Sequence, residues 1–552
     1  MARDGQPLNL QASVIMTARP IAGQPPIGIA SLGRIAAIIL IAVIAAILMR
    51  LLDQASAGDI RDLIGDSYLR RVVAFTLMQA ALSTLLSIGL AVPVTRALAR
   101  QSHFPGRAVL LRLFSLPLVM PALVAIFGVV AAYGQQGWMA RLIGVEAWPS
   151  IYGLGGILVA HVFFNLPLAV RLLLPAWQTV PAESWRLAAQ LGMTSGHIFR
   201  LIEGPLLRRA LPQIAATIFM LCFVSFAIVL TLGGGPRAST LEVAIFQAIR
   251  FDADLPRAGL LAVLELVLCL IAGIFCRSLT QRMDFAAGFG RPGWRHDAAT
   301  RSARICDGIW IVLAVFFVGL PELALLADGL LGFTIDLPWP AIGRAALLGL
   351  SISLIAGAGA TFFGFVLAAA GHQPSSRRAG LFIRLMRSLQ ALAGLLPLAM
   401  SPMVLGIGFY LLVTDYTDSD LWSVIGIILL NIAMAIPFCL ALLMPAVDRN
   451  LQQHDRLCRE LGIVGVNRFR LVDWPSLRPQ IATAFALATS LGLGDLIGIS
   501  LFGNPDLRTL SMLLYEQLSA YRMDQAAATA LILLLLVLGV YGAIERLAGG
   551  KQ

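Results

Sequence analysis

The sequence predicts an all-α, polytopic membrane protein with about twelve transmembrane helices arranged as two parallel six-helix repeats. Three observations predict it. Of 552 residues, 58% are hydrophobic and only 13% are charged, about half the charged share of soluble domains. Apolar runs of bilayer-spanning length recur along the whole chain. A polar, arginine-bearing segment occurs twice, as "RLAAQLGMTSGHIFRLIEGPLLR" at 186–208 and "RLCRELGIVGVNRFRLVDWPSLR" at 456–478.

About 20 apolar residues cross a bilayer core as a helix. Such runs fall at roughly 34–52, 72–95, 109–133, 151–174, 210–232, 258–276, 308–328, 345–370, 389–414, 421–444, 480–502 and 525–544. Only helices or closed barrels satisfy their backbone in lipid, and barrels alternate polar with apolar residues. Runs this continuous are helices. Residues 1–33 are Pro/Gly-rich, lack the apolar stretch of a signal peptide, and read as a cytoplasmic tail starting at Met1 or Met16.

The net charge of +11 does not indicate nucleic acid. With the N-terminus inside, the segments on the cytoplasmic side hold 30 of the 41 Lys and Arg, and the opposite loop "DYTDSD" holds only acids. That is the positive-inside asymmetry, so the basic excess orients the chain. The cysteines (Cys222, Cys269, Cys276, Cys306, Cys439, Cys458) form no CxxC pair, which indicates neither a disulfide framework nor a metal site. The only lysine is Lys551. A phosphate-cradling P-loop needs GxxxxGK[ST], so this chain has no nucleotide engine of that type.

The internal repeat has an offset of 270: Pro167 falls on Pro437, Gly192 on Gly462, Phe199 on Phe469, Pro205 on Pro475 and Arg208 on Arg478. Past a one-residue slip, "GGGPRASTLEVAIF" aligns with "FGNPDLRTLSMLLY". Six helices is an even number, so both halves enter from the same side and are parallel repeats. The expected organisation is a first repeat at 34–280, a cytoplasmic linker at 281–307 and a second repeat at 308–548. In each polar segment a short helix should stop at Gly192 or Gly462, where glycine permits a left-handed turn. A second short helix should follow, with Phe199 or Phe469 and Ile202 or Val472 on one face, broken by Pro205 or Pro475. Two such protrusions at symmetric places favour docking on a cytoplasmic partner.

At these residues the chain resembles the permeases of ABC importers, whose EAA loop carries a glycine followed at fixed spacing by an aromatic and a proline. The usual first glutamate is replaced by Arg186 and Arg456. Two units fused in one chain resemble the iron(III)/thiamine branch of that family. Within it, "LCFVSFAIVLTLGGGP" and "LFGNPDLRTLSMLLYEQLSAYR" are most similar to the thiamine-transporter permeases. The resemblance implies that Arg186, Ala188, Gly192, Phe199, Ile202 and Pro205, with Arg456, Gly462, Phe469, Val472 and Pro475, couple to two copies of a cytoplasmic ATP-binding subunit. It also implies a periplasmic substrate-binding protein and an inner-membrane location with both termini cytoplasmic. This chain is then no enzyme and holds no cofactor, with ATP and Mg residing in the partner ATPase. Thiamine or its phosphates would be the cargo, with iron(III) or another small solute as the alternative.

A carboxylate inside the bilayer is costly and usually faces a cavity or a partner. Asp495 and Glu265 fall within predicted spans, and Asp495 corresponds to Ser225 in the first half. With Phe223 and Phe226 they form a candidate path for a cationic solute, whereas His161, Asn165 and Asn431 read as interhelical hydrogen-bond partners. A major-facilitator secondary transporter also has two parallel sixes. The 96–112 loop here, "RALARQSHFPGRAVLLR", lacks that class's charged Gly/Asp/Arg motif. No nucleophile triad or metal cluster suggests a membrane enzyme.

Overall fold

The computed structural model describes residues 27–54, 65–144, 148–233, 235, 238–279, 295–371, 394, 397, 400–413, 420–463, 465–503 and 507–548. Among them the regular structure is entirely helical. The first half comprises α1 (Ile27–Gln54), α2 (Ser67–Arg100), α3 (Arg107–Leu113), α4 (Ala122–Tyr133), α5 (Trp138–Ile143), α6 (Leu154–Gln178), α7 (Ala182–Gln190), α8 (Ser195–Ile198), α9 (Gly204–Phe223), α10 (Phe226–Leu232), α11 (Leu241–Arg250) and α12 (Leu255–Leu279). The second comprises α13 (Arg301–Leu331), α14 (Trp339–Gly371), α15 (Pro402–Val413), α16 (Asp420–Glu460), α17 (Gly465–Arg468), α18 (Trp474–Leu493), α19 (Ile497–Phe502), α20 (Leu510–Ser519) and α21 (Met523–Ala548).

Among the described residues, 10 helices are long and apolar enough to cross a membrane, by length and composition. The predicted runs not among them are 389–414 and 480–502. Of the first, α15 is a shorter apolar helix, and residues 389–393 lie outside the described set. The second is cut into α18 and α19 at Gly494–Leu496. The fifth run is cut the same way at Val224–Ser225. At the second break Asp495 competes with the helix for a backbone group by accepting the Gly498 amide; at the first, Ser225 is the residue before the new helix and makes no such bond. The third run, predicted continuous over 109–133, is interrupted at Leu116–Pro121, where two prolines remove helical donors.

The two halves exchange their first helices. α1 packs against α14, α15 and α12, and α13 packs against α2, α4 and α21. Gly33 of α1 lies so near Val366 and Ala370 of α14 that a Cβ there would collide with both. Within each half the same contacts recur, α2 on α6 and α9 in the first, α14 on α16 and α18 in the second. One apolar core runs through both halves. The molecule is therefore a fused pair of units in which neither half encloses its own first helix. This is a multi-pass membrane protein.

Candidate functional site

The repeated polar segments fold alike down to an unusual detail. Each contains a five-residue π-turn, Phe199–Glu203 and Phe469–Asp473, placed at the same offset of 270 as the sequence repeat. The turns close when the Gly204 and Trp474 amides donate to the Phe199 and Phe469 carbonyls. Pro205 and Pro475 were expected to break the helix. They sit instead in the first turn of α9 and α18, where a missing N–H is tolerated. The polar helix thus runs without a stop from the loop into the spanning segment.

The preceding glycines behave as the sequence predicts. Gly192 and Gly462 adopt φ of 60° and 67°. Beyond them, Met193 donates to the Ala188 carbonyl at 3.0 Å and Ile463 to the Cys458 carbonyl at 2.8 Å. These closures satisfy the orphan carbonyls of a helix end. One difference concerns what comes before. Pro181 caps α7 as a separate helix, while Leu451 at the matching place lets α16 continue unbroken to Glu460.

The two loops use different chemistry in the same position. In the first, Trp185 and Ala188 pack on Ile198 with Ile202 and Met193 at the edge. Ile202 therefore faces inward with Ile198, while Phe199 turns away and stays 40% exposed, with the Arg96 guanidinium over its ring at 4.9 Å. The expected shared face of Phe199 and Ile202 is not formed, since three residues turn through a smaller angle in the π-turn than in an α-helix and fall further short of a full turn. In the second loop, Asp455 and Arg468 occupy the places of Trp185 and Ile198, and they form an ion pair at 2.7 Å. Phe469 packs on Phe365 and Trp474, each with ring centroids 6.1 Å away.

Their anchors differ as well. The fully enclosed Glu203 accepts from Arg96 Nε at 2.6 Å, Trp177 Nε1 at 3.1 Å and Arg295 Nη2 at 2.8 Å. Arg295 belongs to the segment between the repeats; it also lies over the Trp185 ring at 4.2 Å and bonds Asp297 at 3.1 Å. Asp297 continues to Arg100 at 3.0 Å, and Arg100 to Asp307 of α13 at 3.3 Å. Burial opposes the charge on Asp297, but its hydrogen bond to Arg295 and the charges of Arg295, Arg100 and Arg96 prevail and hold its carboxyl below the usual range. A continuous ionic chain thus joins the first loop to the first helix of the opposite half. In the second loop Asp473, the counterpart of Glu203, accepts from Asn450 at 2.7 Å and lies 3.5 Å from Arg468, its partners among the described residues.

Among the charged and polar residues that the loops expose is a matched set of apolar ones. Leu187, Leu191 and Leu201 are exposed, and so are Leu457, Leu461 and Leu471 at the same offset. The sequence reading missed these six. Their signal was the retention of a large apolar residue at exposed positions of both copies. Arg186 and Arg456 are exposed too; Arg456 pairs with Glu460 at 2.9 Å, a surface contact of little energetic weight. Pro205 and Pro475 lie exposed beside them, and Val472 is half-buried.

The helix breaks carry a second matched pair. His161 of α6 bonds Ser225 at 2.9 Å and Ser83 of α2 at 2.8 Å. At the same offset, Asn431 of α16 donates to Asp495 Oδ2 at 2.9 Å. Asp495 Oδ1 also accepts the Gly498 amide at 3.1 Å, capping α19. Asn165 donates to Cys222 Sγ at 3.2 Å. Asp495 and Ser225 retain partial exposure within the bundle. Phe223 and Phe226 are buried and engaged with Phe219 and Phe246, at 6.0 and 5.4 Å. Glu265 is fully enclosed beside Glu242. Of the candidate path residues, the structure leaves Asp495 and Ser225 partly accessible and encloses the other three.

Comparison with known proteins follows the same line. No family model matches the chain. The thiamine transport system permease protein ThiP of Brucella abortus (strain 2308) is 43% identical over 497 residues, covering 88% of this chain and 89% of the relative. The proteins of the same description from Escherichia coli (strain K12) and Salmonella typhimurium (strain LT2) are 44% and 42% identical, covering 88% and 94% of this chain and 90% and 96% of theirs. Such identity across nearly the full length of both partners leaves one conclusion: the chain belongs to the family of thiamine transport system permease proteins.

Proposed function

We propose that this protein is the membrane permease of a binding-protein-dependent ABC importer that moves thiamine or its phosphates into the cell. Two copies of a cytoplasmic ATPase subunit, which supply ATP and Mg, dock on the loops at 182–205 and 452–475. A periplasmic receptor delivers the solute at the opposite end. The protein lies in the bacterial inner membrane with both termini in the cytoplasm, and it catalyses no reaction itself. The observation that carries this reading is the pair of matched loops, each a glycine-stopped helix, a π-turn and exposed leucines, on a chain whose relatives are named for thiamine transport.

The chemistry of transmission follows from the geometry. Loop and spanning helix are continuous through the π-turn, and a displacement of α8 or α17 would be carried into α9 or α18. Those helices end at the breaks where Ser225 and Asp495 sit. ATP-driven approach of the two ATPase subunits therefore acts on the polar breaks through two levers. A ligand shifts such an equilibrium only by its differential affinity for the two states, and here nucleotide supplies that difference. The test is to reconstitute the chain with its ATPase and receptor in vesicles and measure labelled thiamine uptake. ATP-dependent accumulation that survives a proton-gradient uncoupler supports the reading. Uptake that follows the proton gradient without ATP overturns it in favour of a secondary transporter, and accumulation of iron(III) in place of thiamine overturns the cargo assignment.

A further inference from the structure

A network of charged contacts grips the first loop at each of its three parts. In α7, the Trp185 ring lies under the Arg295 guanidinium at 4.2 Å. In the π-turn, Glu203 accepts from Arg295 Nη2 at 2.8 Å and from Arg96 Nε at 2.6 Å. At the start of α8, Arg96 Nη2 donates to the Ser195 carbonyl at 2.9 Å, and Arg100 donates to the Ser195 hydroxyl. Residues 295–298, between the repeats, close the circuit. Asp297 meets Arg295 at 3.1 Å and Arg100 at 3.0 Å. Arg100 and Gln101 then reach Asp307 of α13 at 3.3 and 3.0 Å. The grip is on the inner side of the loop, since Trp185 is buried whereas Leu187 is 56% exposed.

The second loop is held differently. Phe365 of α14 takes the place of Arg96, because each lies against the aromatic of its own loop. Arg96 is 4.9 Å over Phe199, and the Phe365 and Phe469 ring centroids are 6.1 Å apart. Four residues on from each, Arg100 is matched by the buried Ala369. Ser195 is matched by Gly465, which has no hydroxyl to offer. Three positions that carry the grip on the first side are therefore uncharged and without a hydroxyl on the second. A segment that only joined the repeats could run through water, as connections usually do. Burying Arg295 and Asp297 instead carries a desolvation cost that well-placed partners must offset.

We propose that residues 295–298 form a strap, with Arg295 as its positioning residue, that holds the first docking loop against α13, so that the two ATPase copies meet loops under unequal constraint. The inference rests on the proposed function. The copy on the first loop then acts on α9 and on the first helix of the second half together, whereas the copy on the second loop acts on α18 without that link.

The experiment uses the full chain in nanodiscs with its ATPase, in a background with Cys276 and Cys306 replaced. Leu187→Cys and Leu457→Cys report the two loops separately through their rates of labelling by an impermeant thiol reagent. The ATPase is titrated without ATP, and the concentration giving half-maximal protection is read at each cysteine. Arg295→Ala and Asp297→Asn should raise that concentration about threefold or more at 187 and leave it unchanged at 457. At saturating ATPase, receptor-stimulated ATP turnover should fall with KM for ATP unchanged, since the partner chain binds the nucleotide. Both variants are expected to fold, because Glu203 keeps Arg96 and Trp177, and Arg100 keeps Asp307. Should either fail to assemble, Arg295→Lys keeps the charge beside Glu203 without the flat contact to Trp185, and the same selectivity for 187 is expected of it. Equal shifts at both cysteines would make Arg295 a contributor to general stability and overturn the strap. Unchanged values at both cysteines, or unchanged turnover, overturn it as well. Absence of protection at either cysteine in the chain with an intact strap overturns the docking reading instead.

Discussion

Gly192 and Gly462 show how little space has to do with a glycine requirement. A Cβ at either would meet nothing within 4 Å, yet both sit at φ of 60° or more. The constraint is purely conformational. Alanine should therefore cost about 1–2 kcal/mol at each turn, lowering thermal stability slightly and uptake modestly. Proline, whose φ is fixed near −65°, cannot make the turn. Gly192→Pro combined with Gly462→Pro should insert normally and abolish ATP-driven uptake in reconstituted vesicles. Unchanged uptake by that pair removes the coupling role. The residue scale also gives a pH dependence. Asp297 is depressed below its ordinary carboxylate value, which lies near 3.9. A depressed acid contributes stability that is complete above the ordinary value and lost as pH falls through the lower, folded one. The protection factors of the amides at 295–298, taken relative to the intrinsic exchange rate at each pH, should stay constant from pH 8 to about 4 and fall only below that. An onset near pH 6 would contradict the ion-pair account.

At the scale of elements, the two repeated loops solve one packing problem twice. Trp185 on Ile198 and Asp455 with Arg468 fill the same position, one with apolar surface and the other with a buried ion pair. Breaking a buried pair leaves an uncompensated charge and costs about 3–5 kcal/mol, while replacing both partners by apolar residues is often neutral. Asp455→Leu or Arg468→Leu alone should destabilise the loop strongly, read as a lower melting temperature and faster proteolysis at 461–465. The double change should recover much of the loss; additive losses would show that the pair is not the unit. The sequence made the loops legible because glycine, aromatic and proline recur at a fixed offset. It hid the π-turns, since no residue pattern in "FRLIE" or "FRLVD" separates a π-turn from an α-turn. It also hid the ionic chain through Arg295, because Glu203 lies 92 positions from its partner. The helix breaks were hidden for another reason. Ser225 and Asp495 sit inside runs whose hydropathy alone favours one continuous span.

The whole molecule adds what neither loop contains. α1 and α13 are exchanged between the halves, so the repeats cannot separate without exposing the surface each has lent to the other. Sequence hydropathy marked twelve apolar runs, ten of which correspond to helices long enough to span a membrane among the described residues, but long-range exchange leaves no local mark. Two co-expressed chains divided between residues 280 and 294 should therefore assemble and co-purify. Omitting residues 27–54 from the first should weaken that association. Independent, non-associating halves would contradict the exchange. Among the described residues the ionic chain from Glu203 to Asp307 has no counterpart in the second half, although the outward leucines match.

The account rests most heavily on where those leucines face. Cysteines at Leu187 and Leu457, in a chain with Cys276 and Cys306 replaced, can be challenged with a membrane-impermeant thiol reagent. The expected result is labelling of both in inside-out vesicles, protection of both when the ATPase subunit is bound, and no labelling in intact cells. Labelling of either position from outside intact cells would contradict the account.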